Sequence, residues 1–230
     1  MCGRYVQVTP PEVLARIFAA TSELTAHQPR YNAAPQQWLP VIRQRPSGER
    51  VIHALRWGLV PSWAKDEGMG PRLINARAET LDAKPSFRAA YRARRCLIPA
   101  DGFYEWAKRP DGKQPFYIHA RDGAPLALAG LWERWTRPAD DTVLDSFTLL
   151  TTTANTLMQP LHDRMPVILD PADWARWLTR ASTPESLRDL LGPCPDTRLT
   201  RHPVTRAVGS VRNEGPELIV AVSEGTPAGP

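Results

Sequence analysis

Apolar residues along this chain gather in short runs broken by Gly, Pro and Asp, a pattern of many short strands rather than long helices. The runs CLIPA, GFYEWA, QPFYIHAR, LALAGLWERW, SFTLLTTTA and MPVIL, between Cys96 and Leu169, each predict a strand. Upstream, WLPVI and VIHALRWGLV flank the polar turn RPSGER and predict a hairpin between Gln37 and Trp63, followed by a loop at KDEGMGPR. ELIVAV predicts a last strand. Helical spacing is confined to shorter stretches. Thr9-Pro-Pro-Glu12 reads as N-cap, early proline and capping-box acid ahead of VLARIFAA. Pro85–Arg95 places Phe87, Ala90 and Tyr91 on one face with arginines around the rest. Pro171–Thr179, capped by Asp170, and Pro184–Leu191, capped by Thr183, complete the set and are expected to pack on one side of the sheet. The predicted fold is therefore one α+β domain over residues 1–222, with a mostly antiparallel, barrel-like β core and peripheral helices. SEGTPAGP, residues 223–230, reads as a disordered tail.

Composition keeps this picture and narrows the class. With 230 residues, 42% hydrophobic and 23% charged, the chain matches ordinary globular proteins. No apolar run is long enough to span a bilayer, and MCGRYVQVTPPE lacks a signal-peptide pattern, so a cytoplasmic protein is expected, nucleoid-associated when it is on DNA. The net charge of +5 suggests an anionic partner, and the excess is local: Arg72, Arg77, Lys84, Arg88, Arg92, Arg94 and Arg95 face only Glu79 and Asp82 in that stretch. Cys2, Cys96 and Cys194 are too scattered for a disulfide framework or a zinc site, so Cys96 and Cys194 read as structural and no cofactor is expected.

Cys2 carries the most chemistry. Removal of Met1 would leave a 1,2-aminothiol, in which the α-amine forms a Schiff base with an aldehyde and the thiol closes it to a five-membered thiazolidine. The reference pKa values, about 7.7 to 8.0 for the amine and about 8.5 for the thiol, put both groups in use near neutral pH. The alternative is an ordinary residue in a loose terminus. Three clusters stand beside it: Asn75 and Arg77 in LINARAE, Glu105 in DGFYEW, and His162 in LHDRMP. A carboxyl buried in an aromatic run would have a raised pKa suited to proton transfer. The structural alternatives are a turn residue for Asn75, a solvated strand residue for Glu105 and a backbone-bonded loop residue for His162.

Together these blocks resemble the SOS-response-associated peptidase (SRAP) family. The resemblance runs through Met1-Cys-Gly-Arg4, Arg30-Tyr-Asn-Ala-Ala-Pro35, Trp57-Gly-Leu-Val-Pro-Ser-Trp63, Asn75-Ala-Arg-Ala-Glu79, Gly102-Phe-Tyr-Glu-Trp106, His162-Asp-Arg-Met-Pro166 and His202-Pro-Val-Thr-Arg-Ala-Val208, in the family's order, and covers the chain to about Val222. It implies that Cys2 is a nucleophile toward abasic sites in single-stranded DNA, that Asn75 orients the N-terminal residue, and that Glu105 and His162 handle protons. Glu105 is assigned to sugar opening and His162 to the oxygen leaving as water. Arg4, Arg77 and the arginines of the basic helix, Arg88 among them, are expected on phosphates. Trp57, Trp63 and Trp106 are expected to stack on or wedge against bases, or else to fill the core. Trp63 is the best wedge.

The resulting expectation is a monomeric DNA-damage response factor that crosslinks to abasic single strands, with nicking by β-elimination as a further capability. Two rivals stand beside it. One is a thiol peptidase using Cys2, His162 and Glu105, with loss of Met1 as self-cleavage, although a protease thiol gains nothing from a free α-amine. The other is a non-covalent single-strand-binding protein.

Overall fold

The computed structural model describes residues 2–223; the expected tail, Ser223 apart, lies outside the described residues. Strands dominate, as the short apolar runs require. They are β1 Tyr5–Gln7, β2 Ala20–Ser22, β3 Arg30–Ala33, β4 Trp38–Gln44, β5 Arg50–Trp57, β6 Asn75–Arg77, β7 Arg95–Ala100, β8 Gly102–Arg109, β9 Gly112–Ala120, β10 Leu126–Thr136, β11 Val143–Thr153, β12 Arg164–Pro166, β13 Ile168–Leu169 and β14 Leu199–Pro203. Three α-helices, α1 Pro11–Phe18, α2 Pro85–Ala93 and α3 Trp174–Leu178, lie among them.

The strands form two sheets. One runs in the order β14-β9-β8-β1-β3, and a larger one follows β12-β11-β10-β7-β4-β5-β2, with β6 and β13 added at β11 and β10. Most pairings are antiparallel, as expected, but β2–β5, β5–β11 and β6–β11 are parallel. The hairpin expected around RPSGER is β4–β5, with Gly48 in the left-handed region at φ 91°.

Two large apolar cores and two smaller clusters follow among the described residues. The first joins the two sheets and contains Tyr5, Trp57, Phe103, Phe116, Phe147 and Leu149 together with Cys2. Trp57 is buried there, its ring 5.1 Å from that of Tyr5 and its Nε1–H donating to the Ile74 carbonyl at 2.9 Å. Core packing, not base stacking, is its role. The second core lies under the helices, where Leu14 and Phe18 of α1, Phe87, Ala90 and Tyr91 of α2, and Trp174 and Trp177 of α3 cover the larger sheet. That arrangement puts all the helices on one side, away from the core that holds Cys2.

Several local expectations change. Thr9 does not cap α1: its backbone N–H and hydroxyl, with the Val8 N–H, go to the Asp101 carboxylate, which ties the N-terminal segment to the start of β8. The KDEGMGPR loop folds into a 3₁₀ turn, Glu67–Arg72, capped by the Asp66 side chain. Pro171–Asp173 is 3₁₀ and leads into α3 with no side-chain cap from Asp170, and Glu185–Leu191 is 3₁₀ throughout. ELIVAV is not a strand, because Gly215 at φ 139° and Pro216 start a 3₁₀ turn over Pro216–Ile219 that buries Leu218, leaving one bridge, Val204–Ala221.

Candidate active site

The candidate site forms where the N-terminal segment enters the space between the sheets. Cys2 is fully buried at 0% exposure, which overturns the loose-terminus alternative. Two partners hold it. Asn75 Nδ2 donates to the Cys2 carbonyl at 2.8 Å, and the Cys2 thiol lies 3.8 Å from the Arg4 carbonyl. Asn75 reaches it because β6 pairs with β11 in parallel, setting Asn75 beside Leu149 and Arg77 beside Thr151. Strand alternation then puts Asn75 and Arg77 on the same side, with Asn75 turned toward Cys2 and Arg77 exposed.

Burial raises the Cys2 thiol pKa far above its ordinary range, and the charge of nearby Glu105 pushes it further up. Burial thus favours the neutral thiol over the thiolate at this position. Glu105, 3% exposed on β8, is also raised, chiefly by desolvation, with His162 acting the other way. A carboxyl whose pKa is raised by burial is a better proton donor near neutral pH than an exposed one. It sits at the base of a cleft of about 710 Å³ lined by Glu105, Trp106, Lys108, Lys113, His162 and Gly209, among others.

His162 lies on the turn before β12. Its Nδ1 accepts from the Arg164 backbone N–H at 2.9 Å, which assigns the proton of the neutral ring to Nε2. The Asp163 carboxylate is 2.8 Å from the same Nδ1, a contact that serves only a protonated ring; since Asp163 is 87% exposed, the backbone bond sets the resting tautomer.

The expected DNA contacts divide. Trp106 is half-buried in the cleft wall, and Trp63 stands 58% exposed on the turn after Pro61. Arg4 is committed elsewhere, donating to Asn32 Oδ1 at 2.9 Å and to the Val208 and Gly209 carbonyls at 3.0 and 3.3 Å, so it ties the C-terminal segment to β3. The basic helix does not act as one surface. Arg95 is buried and donates to five carbonyls, those of Tyr91, Arg92, Trp177, Thr179 and Ser182. Arg94 pairs with Glu133 at 2.7 Å. Arg88 is exposed, but on a helix that covers the second core. Sequence reasoning passed over Asn32, whose Nδ2 gathers the Val208, Ser210 and Asn213 carbonyls, although RYNAAP was the signal. It also passed over Arg164, which is bidentate to Glu79 and bonds the Thr151 carbonyl.

The quoted blocks thus mix chemistry with packing. At Gly102 a Cβ would lie 2.4 Å from the Tyr117 ring, and at Gly58, φ 122°, 2.7 Å from the Gly70 carbonyl oxygen. The family model described as SOS response associated peptidase (SRAP) matches residues 1–211. This chain belongs to the SRAP family. Among its relatives are the abasic site processing protein YoqW of Bacillus subtilis, 41% identical over 95% of this chain and 99% of that protein, and YoaM of the same organism, 43% identical over 96% and 98%. A crystal structure of a protein from Bacteroides thetaiotaomicron matches 96% of this chain and 100% of its own with a TM-score of 0.88 at 23% identity, which supports the same single α+β fold. Among the described residues of this SRAP chain no group of His, Cys, Asp or Glu is arranged to hold a metal, and no helix is long and apolar enough to cross a membrane.

Proposed function

We propose that this SRAP protein processes abasic sites in single-stranded DNA by joining the lesion covalently to Cys2 once Met1 has been removed. The observation that carries the reading is the placement of Cys2: the second residue of the chain is fully buried and held through its own carbonyl by Asn75, near a carboxyl whose pKa burial raises. A terminus with no function has no reason to be anchored in a core.

The steps follow from the groups present. Glu105 donates a proton to the ring oxygen of the closed abasic sugar while the anomeric hydroxyl gives its proton to water, so that the ring C–O bond breaks and the aldehyde is freed. The Cys2 α-amine adds to the aldehyde carbon and passes one proton to the new alkoxide, giving a carbinolamine; His162 in its protonated form gives its Nε2 proton to the hydroxyl, which leaves as water, and the proton then shed by the nitrogen restores it, so an imine remains. The Cys2 sulfur then adds to the imine carbon while the thiol proton passes to the nitrogen, closing the thiazolidine. One water is lost overall, with no oxidant or reductant. A thiol held as S–H suits this order, because it stays out of competing chemistry until the imine forms, and the protonated imine is a strong enough electrophile for a neutral thiol. Asn75 fixes the residue's carbonyl and hence the direction of the amine. Return of the proton from the sugar hydroxyl to the Glu105 carboxylate as the ring recloses makes the crosslink reversible through Glu105, and an imine that loses the proton from the adjacent carbon would expel the phosphate at the β position and nick the strand.

Relatives named as abasic site processing proteins support the substrate class, whereas the family description would also allow a peptidase. Incubation with abasic and intact single-stranded oligonucleotides, followed by denaturing electrophoresis, tests the reading. A shifted band is expected with the abasic strand alone and is lost in Cys2→Ala; a shift with neither strand, alongside hydrolysis of peptides that depends on Cys2, would put the peptidase first.

A further inference from the structure

The hairpin β8–β9 ends in an arrangement that the chemistry of the cleft does not use. Lys108 and Lys113 are directly opposed across it, one register step beyond the Ala107–Gln114 pair. Opposed residues of an antiparallel pair project to the same face with Cβ atoms about 5 Å apart, and like charges so placed repel. Both lysines are exposed, and among the described residues neither has an acidic partner. The acid of the turn, Asp111, is neutralised by Arg206, so it offers them nothing. Both line the same cleft as Glu105, Trp106 and His162. A repulsive pair kept open at the mouth of a reactive cleft is suited to an anion held between its two charges.

We infer that Lys108 and Lys113 form a two-pronged clamp for the backbone phosphate of single-stranded DNA beside the lesion; the inference rests on the proposed abasic-DNA reading and adds to it the path of the strand. Lys108 lies three residues along β8 from Glu105, about 10 Å at strand spacing and on the other face of the strand, but both line the one cleft, so a phosphate held by Lys108 lies a short way along the cleft from the reacting sugar. Trp106 is two residues from Lys108 and faces the same side, which lets a neighbouring base stack while the lysines hold its phosphate. On the other side of Cys2, Arg77 extends from the same face of β6 as Asn75. The strand therefore crosses from the larger sheet at Arg77 to the smaller one at the lysine pair, with Cys2 at the crossing. This replaces the basic helix, whose arginines are spent on packing or lie over the other core, as the second anchor.

The test is the salt dependence of binding of an intact, non-reactive single-stranded oligonucleotide by fluorescence anisotropy, in the wild type, in K108Q/K113Q and in K108R/K113R, beside the denaturing-gel assay with an abasic strand. Each phosphate contact on a single strand contributes about 0.7 to the slope of log affinity against log salt. K108Q/K113Q should lower the slope by up to about 1.4, most of the loss appearing at low salt, while K108R/K113R keeps the wild-type slope. A K108Q/K113Q slope and affinity equal to wild type would overturn the clamp while leaving wild-type crosslinking, and so the function, untouched. Wild-type binding without crosslinking would overturn the covalent reading and leave the clamp standing. No binding by the wild type would overturn both.

Discussion

At the scale of single residues, the site depends on what burial does to two acids. Glu105 titrates above the ordinary glutamate value of 4.5 because burial penalises its charge, so the folded chain binds this proton more tightly than the unfolded chain. The stability this contributes is full below pH 4.5 and is lost as pH rises through the raised value. Glu105→Gln should therefore melt higher than wild type, with the gap widening as pH rises above that range, as thermal unfolding between pH 4 and 9 would record. A gap that narrowed with rising pH would contradict the desolvated carboxyl. The same substitution should slow crosslinking by roughly 10²- to 10⁴-fold on an abasic strand, since an amide cannot deliver the proton. With an aldehyde that cannot cyclise, Glu105→Gln should recover much of that rate and His162→Ala should not; single-turnover time courses on the two substrates separate the roles, and the opposite pattern exchanges them. The residue types at Cys2, Asn75, Glu105 and His162 were legible in the sequence because each sits in a short block with its own chemistry. Their environment was not. Nothing local to MCGR says that position 2 is sealed between sheets and its thiol held as S–H, because that follows from strands contributed by distant parts of the chain.

Among the elements, those written as continuous apolar runs between turn residues were readable and those set by tertiary demands were not. The runs from CLIPA to MPVIL became strands because each side of the run meets a core. β6 was hidden, since three residues carry too little pattern and its pairing with β11 is decided by the larger sheet. The C-terminal ELIVAV reads as a strand on composition, yet Gly215 and Pro216 turn it and Leu218 is taken by a separate apolar cluster. Charge misled most at α2, where a run of arginines looked like one surface and Arg95 proved to be a buried strut. Arg95→Ala removes five donors and strands carbonyls whose desolvation costs about 1–3 kcal/mol each, so equilibrium unfolding should show a loss of several kcal/mol. The salt slope of DNA binding in that variant, measured below its melting temperature, should stay at the wild-type value; a lowered slope would return the helix to the DNA surface. Arg77→Ala, at an exposed position of β6, should do the reverse, weakening binding to any single strand while leaving unfolding within about 0.5 kcal/mol of wild type.

Over the whole molecule, the two cores separate support from function. Helices cover one face of the larger sheet, and the space between the sheets holds Cys2, so the N-terminal segment is fixed inside the core that joins the sheets. Trp57 belongs to that support: truncating it to alanine should cost roughly 3–5 kcal/mol in denaturant unfolding, and with it the seat of Cys2. A cleft that carries two exposed lysines and a buried carboxyl suits a strand that is held by its phosphates and reacts at a sugar with no base. The central claim is that the α-amine and the thiol of Cys2 together hold the lesion, and intact-mass analysis of the wild-type protein with an abasic oligonucleotide addresses it directly. The account predicts a single adduct equal in mass to the chain without Met1 plus the oligonucleotide less one water, unchanged by borohydride because the imine has closed. An adduct on a chain that retains Met1, or one that borohydride reduces completely, would contradict it.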